Sequence, residues 1–191
     1  MGMGSLPSFA LTWAAMTAAV MSPSTLPFVV SFARRARRWP LGTVALVAAY
    51  MLVWTGFGVT AYFVLNAISL PWAASTTAGL GIAFAGLYSL TPLKRLGQAR
   101  CIEMCRRRAS IDGLGLRTGA AAGTAYGLGC VACSGGVMVA LMVLGMTNVL
   151  WLAAGAGVVL LYKLAGRWPR RLEMALTVAM VLAGAWLIAL A

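Results

Sequence analysis

Long apolar stretches separated by short polar breaks run along the whole chain. Six of them stand out, at residues 9–32, 41–65, 72–90, 120–146, 148–164 and 174–191. Each has 17 to 27 residues, and a membrane-crossing helix needs roughly 20 apolar residues. The pattern predicts an all-α, polytopic membrane protein: one domain of six transmembrane helices. The breaks are distinct. Arg34-Arg35-Ala36-Arg37-Arg38 closes the first segment, and the second fades into Asn66-Ala67-Ile68-Ser69-Leu70-Pro71. Thr91-Pro92 stops the third. A basic stretch over 92–118 reads as a cytoplasmic loop before the glycine-rich fourth segment.

Charge orients these segments. All 15 Lys and Arg fall in the first, third and fifth connections or their flanks, including Arg117 at the start of the fourth segment and Lys163 at the end of the fifth. The other two connections and both termini carry none. Cationic loops stay in the cytoplasm, so both termini are expected to be extracytoplasmic. Glu103, Asp112 and Glu173 share the cationic side. Trp39 and Trp168 are expected at the inner interface, and Trp72 and Trp151 at the outer one. Met1 to Ser8 lacks a charged leader region, so the first segment reads as a retained span.

Composition narrows the chemistry. Hydrophobic residues make up 62% and charged residues 9%, with mean hydropathy +0.91. Soluble domains are about 45–50% apolar and about 25% charged, so this chain cannot cover a water-facing surface. In a soluble protein the net charge of +12 would suggest nucleic acid. Here it reports orientation, with no nucleic-acid partner and an inner rim that attracts anionic lipid. The chain has no histidine, which excludes His-based nucleophilic catalysis, His-ligated haem and the usual His-rich metal sites. Asp112-Gly113-Leu114-Gly115 is only a glycine pair, not a nucleotide-binding loop. No catalytic constellation is present, and the chain does not read as an enzyme.

Sulfur remains. Cys130 and Cys133 are three residues apart, which places both thiols on one helical face. Gly127, Gly129, Gly135 and Gly136 surround them. Counted from Arg117, Cys130 lies about 20 Å deep, near mid-membrane. Metal or redox function competes here with a small-residue packing face holding inert thiols. Cys101 and Cys105 also share a helical face, within the basic stretch. Arg100 and Arg106 beside them would favour thiolates, or the segment is an amphipathic interfacial helix covering Ile102 and Met104. The two pairs are expected about 20 Å apart in depth, and not in one site unless the loop re-enters the membrane. In the first segment Pro23 and Pro27 free backbone groups that Ser22, Ser24 and Thr25 can satisfy. Met21 lies at the depth of Cys130, with Met16 nearby; thioethers and thiolates are soft ligands that suit Cu(I). Methionine as ordinary filler is the alternative.

Several blocks resemble a known family. They are Met21-Ser22-Pro23-Ser24-Thr25-Leu26-Pro27, Tyr88-Ser89-Leu90-Thr91-Pro92-Leu93-Lys94, then Cys101, Cys105 and Arg106, then Tyr126-Gly127-Leu128-Gly129-Cys130-Val131-Ala132-Cys133, and Gly145-Met146-Thr147-Asn148. Together they resemble domain-of-unknown-function family 2182, described as predicted metal-binding integral membrane proteins of bacteria. The resemblance implies a multi-pass protein of the bacterial inner (plasma) membrane, with Cys101, Cys105, Cys130 and Cys133 as candidate ligands. It also shows departures. Thr118 follows Arg117 where relatives often have His, Ser134 and Gly135 stand in place of a further Cys and a Trp, and Tyr162 replaces a Glu before Lys163. The soft ligands are kept and the harder ones lost, which points towards copper.

Two functions follow from this reading. In the first, the chain binds or moves a soft cation, Cu(I), through Cys130, Cys133, Met21, Met16, Cys101 and Cys105, with a metal-donor protein as a partner. In the second, it is a non-catalytic accessory or assembly subunit of a larger membrane complex, and its cysteines only pack. Thiol redox exchange ranks below both, because no cysteine lies in an outer loop.

Overall fold

The computed structural model describes residues 5–36, 40–67, 75–106, 115–144, 149–164 and 170–189. These form seven α-helices: α1 Leu6–Arg35, α2 Pro40–Ala67, α3 Ser75–Ser89, α4 Pro92–Arg106, α5 Leu116–Leu144, α6 Val149–Leu164 and α7 Arg170–Ala189. Among the described residues there is no strand. α1, α2 and α5 are long and apolar enough to cross a membrane. They contain the first and second apolar segments of the sequence and the fourth as far as Leu144. Trp39, Trp72, Trp168, Asp112 and Asn148 lie outside the described residues.

α1 starts at Ser5, whose extended backbone gives way to Pro7 in the first turn. Proline is tolerated there because its missing N–H would have no partner in any case. The helix continues through Pro23 and Pro27. Each proline frees the carbonyl four residues earlier, here those of Ala19 and Pro23. The hydroxyls go elsewhere: Ser22 donates to the Ala18 carbonyl, and Ser24 and Thr25 donate to that of Met21 at 2.9 and 3.0 Å. None of these three bonds reaches the Ala19 or Pro23 carbonyl. Each hydroxyl reaches back three or four residues to the carbonyl its own rotamer can meet.

α1 lies antiparallel to α2. Trp13 is fully buried and donates its indole N–H to the Trp54 carbonyl at 2.8 Å. Phe9 meets Tyr62 with ring centroids 4.7 Å apart. α2 and α5 run parallel at backbone contact. A Cβ on Gly119 would collide with the Gly42 carbonyl oxygen, and one on Gly123 with that of Leu46. Small residues let helices approach this closely, which is how apolar helices gain attraction where no water drives them together.

α3 and α4 follow one another along α5, both antiparallel to it. Gly81 of α3 faces Ala140 and Val143, while Gly97 of α4 faces Ala132 and Cys133. Between them the chain turns through Leu90 and Thr91, whose amides bond to the Leu87 and Tyr88 carbonyls at 3.1 and 3.0 Å. Pro92 opens the next helix. The stretch expected as a basic loop is thus helical over 92–106 and packed against the middle of α5. Lys94 and Cys101 are 2% and 4% exposed, whereas Leu93 and Leu96 are 54% and 61% exposed. α4 buries a stripe of Lys94, Gly97 and Cys101 and turns its leucines outward, the reverse of a helix on a water-soluble core.

Candidate metal centre

The glycines of α4 and α5 make the site possible. A Cβ on Gly97 would stand 2.6 Å from the Ala132 Cβ and 2.7 Å from the Cys133 amide nitrogen. A Cβ on Gly129 would stand 3.2 Å from the Cys101 sulfur. Any larger residue at these two positions would hold the helices apart. Tyr88 fixes the arrangement from α3: its hydroxyl donates to the Ala132 carbonyl at 2.7 Å, between the two cysteines of α5.

Three thiols meet in the resulting contact. The Cys101 Sγ lies 3.6 Å from the Cys130 Sγ and 3.9 Å from the Cys133 Sγ. All three are buried and outside any disulfide, their sulfurs well beyond the roughly 2.05 Å of one. A metal–sulfur bond of about 2.3 Å gives a sulfur–sulfur edge of about 3.8 Å in a tetrahedral thiolate site. The two distances bracket that edge. Among the described residues no group of three or more His, Cys, Asp and Glu stands as a ready-made metal cage. The two close pairs share Cys101 and would have to tighten around an ion.

This corrects the expected separation of the cysteine pairs by depth. That expectation kept the basic stretch at the membrane surface, whereas α4 folds back along α5 and carries Cys101 to Cys130 and Cys133. The expected influence of the arginines on Cys101 changes as well. Arg100 is exposed, and the buried Cys101 sulfur faces two thiols instead of a guanidinium. Cys105 sits one helical turn further along α4; its side chain lies outside the described residues.

The methionines are placed apart from the thiols. Met16 and Met21 are buried on α1. Met21 lines a cavity of about 150 Å³ among α1, α2 and α5, with Thr17, Tyr50, Met51 and Tyr126. None of Cys101, Cys130 and Cys133 lines it. Tyr50 stands between the two features: its ring walls the cavity and its hydroxyl lies beside the Cys130 thiol. Tyr126 stacks on Phe28 with centroids 4.4 Å apart. Sequence reasoning missed Tyr50 and Met51, because neither belongs to a spaced motif and only the parallel packing of α2 on α5 brings them here.

Among the described residues the architecture is all-helical, with three potential membrane helices and a buried cluster of soft donors. The chain matches the PpoB2 family, described as a copper chaperone, over residues 10–187. It belongs to that family, which ties it to copper. The domain-of-unknown-function name rests on the motif blocks alone. No curated protein and no solved structure matches the chain.

Proposed function

We propose that the protein is a multi-pass membrane copper chaperone that holds Cu(I) on Cys101, Cys130 and Cys133 and passes it to a partner. The convergence of these three thiols at 3.6 and 3.9 Å is the observation that carries the reading. Cu(I) is a soft ion and thiolates are soft ligands. Thiolate charge offsets that of the ion, which lowers the cost of burying it. Copper is the cargo here, and the absence of histidine leaves sulfur as the fitting donor. Cys105, four residues beyond Cys101 in the sequence, is the residue suited to receive or release the ion. Six spans, both termini outside and a place in the bacterial plasma membrane complete the proposal. The family membership favours this reading over that of an accessory subunit with inert cysteines.

The test is copper content and Cu(I) affinity of the purified protein under reducing conditions. Cys130→Ser/Cys133→Ser, and Cys101→Ser alone, are expected to weaken Cu(I) binding at least about tenfold. Equal copper in wild type and variants would overturn the proposal.

A further inference from the structure

Tyr50 sits on α2 one helical turn before Trp54. Its ring lies 5.9 Å from that of Tyr126 on α5 and 6.5 Å, edge-on, from that of Trp54, centroid to centroid. Tyr50 is 7% exposed and Trp54 is fully buried. Trp54 is itself fixed from α1, since its carbonyl accepts the Trp13 indole N–H at 2.8 Å. The Tyr50 hydroxyl has hydrogen-bonding contacts with the Trp54 side chain and with the Cys130 thiol, but both fall short of full hydrogen-bond geometry. Their direction follows from chemistry. An indole N–H can only donate, so the phenol oxygen accepts from Trp54. Its own proton is then left for the Cys130 sulfur. Tyr88 is placed differently. It stands near Cys133, but its hydroxyl is already committed to the Ala132 carbonyl.

We infer that Tyr50 is a positioning residue of the copper centre, whose hydroxyl, aimed by Trp54, donates to the Cys130 sulfur when Cu(I) is bound. The inference rests on the thiol cluster being a copper site. A neutral thiol is a weak acceptor, which leaves the contact loose in the copper-free protein. Copper binds the sulfur as thiolate. A hydrogen bond to a charged acceptor is shorter and roughly twice as strong as a neutral one, so the same contact tightens. Cys130 is fully buried, and no water can take the place of the missing donor at its sulfur. A charge there without a hydrogen bond is costly. The donor occupies one lone pair of the thiolate and leaves the others for the ion. Groups that bond to a metal ligand in this way typically account for about 10–100-fold in metal affinity.

The experiment titrates the full-length purified protein with Cu(I) against a competing chelator under reducing conditions. Tyr50→Phe keeps the ring and removes only the hydroxyl. It is expected to weaken Cu(I) binding about tenfold. The copper-free variant should melt as wild type does, since the bond is not closed there. The same substitution is then made in two backgrounds. It should weaken binding about tenfold further in Cys133→Ser and change nothing in Cys130→Ser, where the accepting sulfur is gone. A merely structural role would move both alike. The ultraviolet absorption of the thiolate–copper bond is a second readout. It should shift in Tyr50→Phe at full copper occupancy, and it decides the matter if either serine variant binds too weakly to titrate. Wild-type affinity in Tyr50→Phe, an unshifted band, or equal losses in the two serine backgrounds would each overturn the inference and leave the thiol site standing. Equal copper binding by wild type and Cys101→Ser/Cys130→Ser/Cys133→Ser would instead fail the thiol reading itself.

Discussion

At the scale of single residues the site depends on an absence. Gly97 has no side chain where α4 meets α5, and Cys101 reaches its partners only because of that. A valine there would place atoms within 2.6 Å of the Ala132 Cβ and 2.7 Å of the Cys133 backbone. Such crowding costs about 1–3 kcal/mol and is relieved by moving the helices apart. Gly97→Val is therefore expected to lower the melting temperature in detergent and to release copper, although all four cysteines remain. Paired measurements of melting and metal content check this, and a variant that melts lower yet keeps its copper would show that the contact is structural only. Which residues matter was half legible in the sequence. Cys130 and Cys133 were evident from their spacing and their glycine neighbours. Cys101 is evident too, but its setting is not: the arginines around it place it in a cytoplasmic loop, or else in an interfacial helix that covers Ile102 and Met104. In fact the stripe Lys94, Gly97, Cys101 is buried and the neighbouring leucines are exposed. Among apolar surroundings a helix is drawn to its neighbour by small and polar residues, and the usual rule for reading its inner face inverts.

At the scale of elements the arrangement is two contacts on one helix. α5 receives α2 along Gly119 and Gly123, and receives α4 along Gly129 and Cys133. The first contact is backbone against backbone and leaves no room to adjust. Gly123→Leu is expected to destabilise the fold by roughly 3 kcal/mol or more, read as loss of monodisperse protein on heating. It should do so with or without copper, unlike Gly97→Val. The second contact can be trapped chemically. Mild oxidation is expected to join Cys101 to Cys130 or Cys133 within one chain, and peptide mapping by mass spectrometry identifies the bond. Recovery of all three thiols unmodified, with exposed control thiols fully oxidised, would place α4 elsewhere. The long helices α1, α2 and α5 were legible because continuous apolar runs signal them directly. The docking of α4 was not, since charge along a segment gives the side to which its ends belong and says nothing of whether its middle folds inward. Tyr88 shows the same limit. It belongs to a motif block in the sequence, but its bond to the Ala132 carbonyl depends on α3 lying along α5, a relation that only the assembled helices reveal.

At the scale of the whole molecule, metal, proton and membrane are linked. Thiols lose protons on binding Cu(I), so affinity should rise with pH across the range where the free thiols are still protonated. Cys101→Ser/Cys130→Ser/Cys133→Ser is expected to lose that slope, because no thiol remains there to release a proton. Chelator competition at several pH values reads both. Orientation is the remaining whole-molecule question, and the packing bears on it. α2 and α5 run parallel, so their N-terminal ends lie on the same side. Each is preceded by a cationic connection, Arg34 to Arg38 for one and Arg106 to Arg117 for the other. Two independent clusters of charge therefore agree on a side without conflict in the fold, and cationic loops are retained in the cytoplasm. α1 is antiparallel to α2, so its N-terminal end falls on the opposite side. A reporter enzyme that matures only outside the cytoplasm is expected to be active when fused after Ala191 or inserted between Ile68 and Ser69, and inactive when inserted between Arg37 and Arg38. Activity in the reverse pattern would invert the orientation. Activity at Ile68 but not after Ala191 would leave α1 and α2 as proposed and place the chain's end on the cytoplasmic side, reducing the number of crossings after α5.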